Sequence, residues 1–485
     1  MTPISILICV GIYSLLLFFI TWLTSRNANN SGFFLGNKTS PWYVVAYGMI
    51  GASLSGVTFM SVPGWVGSTQ FSYMTVVLGY LVGYTVIATV LLPLYYRLQL
   101  TSIYSYLEQR FGIKSYRTGA FFFLISRTIG ASFRMFLVVT VLQAFVFDAL
   151  GVPFVATVAG FIILILLYTY EGGIKTIIWT DTLQTTFMLL GVILSVIIIG
   201  QQLNFSFTDM ASAIKHSEYS QVLFFDFNDK RFFLKQFISG AFIAIVMTGL
   251  DQEMMQKNLS CKNIGEAQKN MFTFSIVLVF VNFLFLSLGA LLYIYAHAKG
   301  IAIPTKTDEL FPLIALKYLG PFAGLVFIIG LISAAYPSAD GALTSLTTSF
   351  CIDFLDMNKR ADWDENKKKK IRYRVHFSFA FLLLLVIVVF RAINDQAVVG
   401  KLFTVAGYTY GPLLGLFAFG LFLKRKVKDK FVPFVCVASP IICYILSENS
   451  EQWFGGYKFG FELLIVNGLI TFIGLMIIGE KKDIA

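Results

Sequence analysis

Charge is what this chain is shortest of. Asp, Glu, Lys and Arg make up only 13% of its 485 residues, about half the share of an ordinary soluble domain, which excludes a soluble enzyme of usual composition. Histidine is scarcer still. The three present, His216, His297 and His376, each sit near a loop and show no metal-ligand spacing. The five cysteines, Cys9, Cys261, Cys351, Cys436 and Cys443, are odd in number and scattered. They outline neither a disulfide framework nor a metal site and read as packing residues. A membrane-embedded enzyme would need a nucleophile–base set or a metal cluster, and neither is evident. A channel would need a pore loop or a repeated filter, and none is evident.

Apolar residues are abundant instead, at 57% of the chain. Runs of 18 or more recur from end to end, the mark of a polytopic membrane protein. The length rule predicts an all-α protein with about thirteen spanning segments. The first covers 3–25, with no basic n-region before it and no cleavage site after it, so it is expected to be a retained helix. The fourth is placed from Thr118, the eighth from Met271 and the tenth from His376. Basic residues cluster on one side. Those loops hold Arg97, Arg110, Lys114, Arg117, Lys257, Lys262, Lys269, the run Lys359 to Arg374, and Lys424 to Lys430. That side carries about 25 Lys and Arg against about 8 opposite, so it is read as cytoplasmic, with the N-terminus outside and the C-terminus inside a plasma membrane. Lys367–Lys370 serves either as a topology determinant or as a contact for anionic lipid. Two long loops on the other face, Asn204 to Arg231 and Lys299 to Lys317, are expected to carry short lid-like helices.

One spanning segment is written badly for a helix. Met49 to Gly64 contains Gly51, Ser53, Ser55, Gly56, Thr58, Ser61 and Pro63. Such a run is either a close-packed small-residue interface or a broken helix whose freed carbonyls and hydroxyls line a wet cavity. The seventh segment is interrupted too, at Gly240 and Gly249. These weak helices open two groups of five segments, 42–203 and 233–423. An odd number of spans per group inverts one group relative to the other, the logic of inverted-repeat transporters. The chain is thus read as one domain, 1–485, in which a peripheral first helix (3–25) and two C-terminal helices (431–479) flank a 5+5 core.

Tyr168-Thr-Tyr-Glu-Gly-Gly-Ile-Lys-Thr-Ile-Ile-Trp-Thr-Asp-Thr-Leu-Gln184 closely resembles the sodium:solute symporter family. Thr58 to Pro63, Tyr106 to Phe111, Asp251-Gln-Glu-Met-Met-Gln256 and Gly407 to Gly415 follow in the order the family has them. The resemblance implies a leucine-transporter-like fold, alternating access, and sodium-coupled uptake of a small organic solute. Proton coupling or uncoupled transport is the alternative. It also implies a Na+ site built from Gly51, Leu54, Ala334 and Ser338, with Pro337 standing where a hydroxyl residue is usual. Asp181 matches a position that helps form a second sodium site in some members. Asp340 and Gly341 stand where its hydroxyl partners would be.

Two nearby carboxylates repel unless a cation or proton lies between them, so Asp181 and Asp340 are expected to flank one cation. Asp340 could instead pair with Arg127 or Arg134, or be solvated. These two arginines, seven residues apart, share a helix face. Either could clamp a substrate carboxylate, and at least one is expected to be structural. Ser55 and Thr58 match family positions that hydrogen-bond substrate, and Tyr80 is expected to add a hydroxyl to the same cavity. The arginines hint at an organic acid or acidic sugar. The protein is expected to act as a monomer, without nucleic acid.

Overall fold

The computed structural model describes residues 3–24, 30–169, 173–393 and 398–483. Ser25 of the first predicted span, and Tyr170, Glu171 and Gly172 of the family motif, lie outside the described residues. The chain is almost wholly helical. In order come α1 (Pro3–Thr24), α2 (Trp42–Thr69), α3 (Tyr73–Arg97), α4 (Ile113–Leu150), α5 (Phe154–Thr169), α6 (Gly173–Gln202) and α7 (Phe207–His216). There follow α8 (Phe233–Gly249), α9 (Gln252–Leu259), α10 (Ile264–Ala298), α11 (Pro321–Phe354) and α12 (Glu365–Ile393). The chain closes with α13 (Val398–Phe422), α14 (Val432–Glu448) and α15 (Leu463–Ile477). A short antiparallel pair, β1 (Arg425–Val427) with β2 (Gly479–Asp483), ties the chain end to the loop after α13.

Among the described residues ten helices are long and apolar enough to cross a membrane, or eleven if the bent pair α8–α9 counts as one span. The other two expected spans correspond to α5 and α15, apolar helices with 16 and 15 described residues. The predicted starts of four helices are also too late: α6, expected from Trp179, is helical from Gly173. α4 begins at Ile113, α10 at Ile264 and α12 at Glu365. In each case the apolar run stops where charge begins, but the backbone ladder continues into the polar layer.

α2 lies at the centre, packed on α6, α10 and α11, while α3 packs on α8, and α4 on both α11 and α13. α2 and α11 are buried along nearly their whole length. By contrast α1 and α14 turn Ile4, Ile8, Ile12, Leu15, Phe434 and Ile441 outward, as lipid-facing helices do. Both long loops carry the expected short helices, α7 in one and Leu310–Leu313 in the other. α7 starts with a reciprocal capping box between Ser206 and Asp209.

Candidate solute cavity and ion sites

The serine- and glycine-rich stretch is a broken helix. Within α2, Ser55 has φ 25° and ψ 174°, a conformation L-residues rarely hold. The ladder is interrupted there, and among the described residues no side chain donates to the carbonyls of residues 51–55. The backbone just before the break is anchored to α6, where the Gly51 N–H donates to Thr185 Oγ1 at 3.1 Å. A Cβ at Gly51 would run into that hydroxyl, which is why glycine is needed here.

The break opens onto a cavity of about 70 Å³. Ser55, Thr58, Tyr80, Arg127 and Arg134 all line it, so the structure brings together every residue the sequence suggested for solute. It adds Tyr73, Tyr84, Thr248 and Asn282. Tyr84 was legible one helical turn after Tyr80, and Asn282 as an amide in the middle of the apolar part of α10. The Tyr73 and Tyr80 hydroxyls lie 3.1 Å apart.

The two arginines differ. Arg127 is ion-paired to Glu253 and lies 3.9 Å from Asp251, so it is committed to the protein although its edge borders the cavity. Arg134 is 8% exposed and forms no hydrogen bond or ion pair among the described residues.

Above this cavity, on the face opposite the basic loops, is a vestibule of about 950 Å³. Trp65, Tyr73, Phe403 and Phe461 separate the two. Each ring contacts the next, at centroid distances of 6.1, 6.3, 4.9 and 6.2 Å, closing a cycle. The other aromatics near α2 are packing residues. Phe59 sits among Phe285, Phe311 and Phe327, and Phe71 rests on Phe283. Two cations of the vestibule rim are neutralised nearby: Arg231 pairs with Asp229 and Lys458 with Glu451, both at 2.8 Å. Hydrogen bonding and charge from Arg231 hold the Asp229 carboxyl below its usual range.

At the expected Na+ site, α2 and α11 pack directly. Ser338 is fully buried and its Oγ has no hydrogen-bond partner among the described residues. Pro337 sits inside the continuous α11. It cannot donate to the carbonyl one turn earlier, at Ser333, which leaves that oxygen free of its helical partner.

The second expected site is arranged differently. Lys257 was counted with the cytoplasmic loops, but it is a fully buried residue of α9. Its Nζ lies 2.7 Å from Asp181 Oδ2 and 3.3 Å from Glu253 Oε1. Asp340 pairs with neither Arg127 nor Arg134; it accepts from the Tyr168 hydroxyl at 2.9 Å and from the Gly341 N–H. Glu253, which sequence reasoning missed, packs against Gly341 so closely that a Cβ there would overlap its carboxylate. The bend brings this about. α8 and α9 meet at 66°, and Asp251 caps α9 by accepting from the Glu253 and Met254 N–H groups.

The model of the sodium:solute symporter family matches residues 33–429. The chain belongs to the sodium:solute symporter family. Among its relatives, the sodium/sialic acid symporter SiaT of Proteus mirabilis is 24% identical over 480 residues, covering 96% of this chain and 94% of the relative. The sodium/sialic acid symporter NanT of Aliivibrio fischeri is 21% identical, covering 93% and 89%. The sodium-coupled monocarboxylate transporter 2 of Danio rerio is 25% identical, covering 82% and 64%. A solved Na+-coupled sialic acid symporter in a substrate-bound, outward-open state shares the fold, with a TM-score of 0.80, 20% identity and 99% of both chains covered. This family member is therefore a multi-pass membrane symporter, not an enzyme. It couples a small organic solute to Na+ by alternating access.

Proposed function

We propose that this symporter takes up a carboxylate-bearing, hydroxyl-rich solute of the acidic-sugar class, such as sialic acid. One observation carries the reading: Arg134 presents an unpartnered, largely buried guanidinium to the cavity at the α2 break. A desolvated cation without a counter-charge is costly, and a carboxylate would satisfy it bidentately. Hydroxyls of Ser55, Thr58, Tyr73, Tyr80 and Tyr84 around it suit a polyol rather than a plain fatty or aromatic acid. Arg127 braces this wall through Glu253 and contributes positive potential. The names of the two sialic acid relatives support the same class.

Na+ binds between the carbonyls of Gly51, Leu54 and Ala334 and the Ser338 hydroxyl. Joining α2 to α11, it holds the vestibule side open until solute arrives. The aromatic ring of Trp65, Tyr73, Phe403 and Phe461 then closes, and the basic-loop side opens to release both. In this reading the protein is a monomer with its N-terminus outside and C-terminus inside. Repeats 42–203 and 233–423 move against each other within the single domain 1–485, flanked by 3–25 and 431–479.

Uptake of radiolabelled sialic acid into proteoliposomes under an inward Na+ gradient tests the proposal. The expected result is sodium-dependent uptake that excess sialic acid competes and a neutral hexose does not. Arg134→Gln should raise the half-saturating concentration about 100-fold, the value of roughly 3 kcal/mol for a charged pair of hydrogen bonds. Uptake of pyruvate or lactate instead would move the assignment to small monocarboxylates. Uptake of a neutral sugar, unchanged in Arg134→Gln, would refute the carboxylate reading.

A further inference from the structure

We infer that Lys257 is the resident cation of the Asp181–Asp340 locus, so that this symporter binds one Na+ per cycle and not two. The inference rests on the Ser338 site proposed above but is independent of which solute is carried.

The argument starts from what a cation at Asp181 would find. Asp181 is fully buried on α6 and packed against α2, where a Cβ at Gly48 would touch its own Cβ at 3.1 Å. Its Oδ2 is already engaged by the Lys257 ammonium at 2.7 Å. That ammonium spends a second donor on Glu253 Oε1 at 3.3 Å, and the other Glu253 oxygen is held by Arg127. Asp340, within electrostatic reach of both Asp181 and Lys257, has each oxygen hydrogen-bonded, to Tyr168 and to Gly341 N–H. A sodium ion needs several oxygens converging on one point, as hard cations do.

The local sequence agrees with this arrangement. Gly341 offers no hydroxyl, and the space a side chain would fill there is taken by the Glu253 carboxylate. Glu253 and Lys257 are spaced i, i+4 on α9, so one short helix delivers an anion to α11 and a cation to α6 together. An ammonium tethered by a buried side chain cannot exchange with solvent ions during the cycle. It therefore supplies charge without contributing to the driving gradient. Ser338 differs in kind: it is a neutral hydroxyl with no partner and no lysine near enough to bond it. Asp181 Oδ1 also lacks a partner, so removing the ammonium would leave a carboxylate with both oxygens available.

Equilibrium binding of 22Na+ to the purified protein, counted per molecule without solute, tests this directly. One ion is expected in wild type and in Asp181→Asn, and two in Lys257→Met. Loss of binding in Ser338→Ala would locate the single ion at the proposed site. Sodium retained there would move the ion elsewhere while leaving the role of Lys257 intact. Two ions in wild type, loss of an ion in Asp181→Asn, no ion at all, or an unchanged count in folded Lys257→Met would each overturn the inference. Should Lys257→Met fail to fold, the wild-type and Asp181→Asn counts decide alone.

Discussion

The molecule has two helix breaks that resemble each other in sequence and differ in what surrounds them. At the second, between α8 and α9, Tyr95 donates to Gly249 O at 2.8 Å and Tyr104 to Leu250 O at 2.9 Å. Asp251 satisfies the first N–H groups of α9, and its other oxygen accepts from Tyr410 at 2.8 Å. This break is sealed by protein. At the first, around Ser55, no side chain occupies the carbonyls, and the residue itself holds an unfavourable φ. A buried polar group left unpaired is expensive, so an unsealed break is retained where something else completes it. The two breaks thus differ in their neighbours: side chains fill the freed groups at one and leave them open at the other.

That comparison can be broken from either side. The largest effect is expected from crowding the open break. Gly51→Ala should destabilise by about 3 kcal/mol through overpacking against Thr185, and Thr185→Ala in the same chain should restore most of it. A double-mutant cycle on thermal stability measures that coupling, and additive losses would show that Thr185 is not what demands glycine. Unsealing the second break comes next. Tyr104→Phe leaves Leu250 O without its donor and should cost about 1–3 kcal/mol, read as a lowered Tm, while the sodium affinity of the Ser338 site stays within twofold. A large change in sodium affinity would mean the sealed break belongs to the ion site after all. The smallest effect has the opposite sign. Ser55→Gly relieves the strained φ and should raise stability by about 1 kcal/mol, while weakening solute binding through loss of a hydroxyl. A variant that is both less stable and binds unchanged would refute the strain argument.

Legibility followed the same division. Ser55 and Thr58 were reached through the family resemblance, and Arg127 and Arg134 through the cost of a charge in a spanning segment; with Tyr80, all five line one cavity. Lys257 and Glu253 could be reached by neither route. They follow an apolar run, in a polar stretch that counting assigns to a loop, and only the 66° bend folds that stretch back beneath α11 and α6. Span counting rests on apolar runs alone: α5 and α15 carry that signal, while length and composition together give ten helices, or eleven, among the described residues.

By itself, the sequence determined the membrane setting, the order of helices, the weak point in α2 and the family, since each depends on composition or on residues adjacent in the chain. The tertiary structure alone decided which arginine is free, which break is open and which cation accompanies Asp181. Those are properties of pairs. Arg127 meets Glu253 across 126 positions and Lys257 meets Asp181 across 76. In a low-dielectric interior, the presence or absence of such a partner sets whether a charge is spent on the fold or left for a ligand.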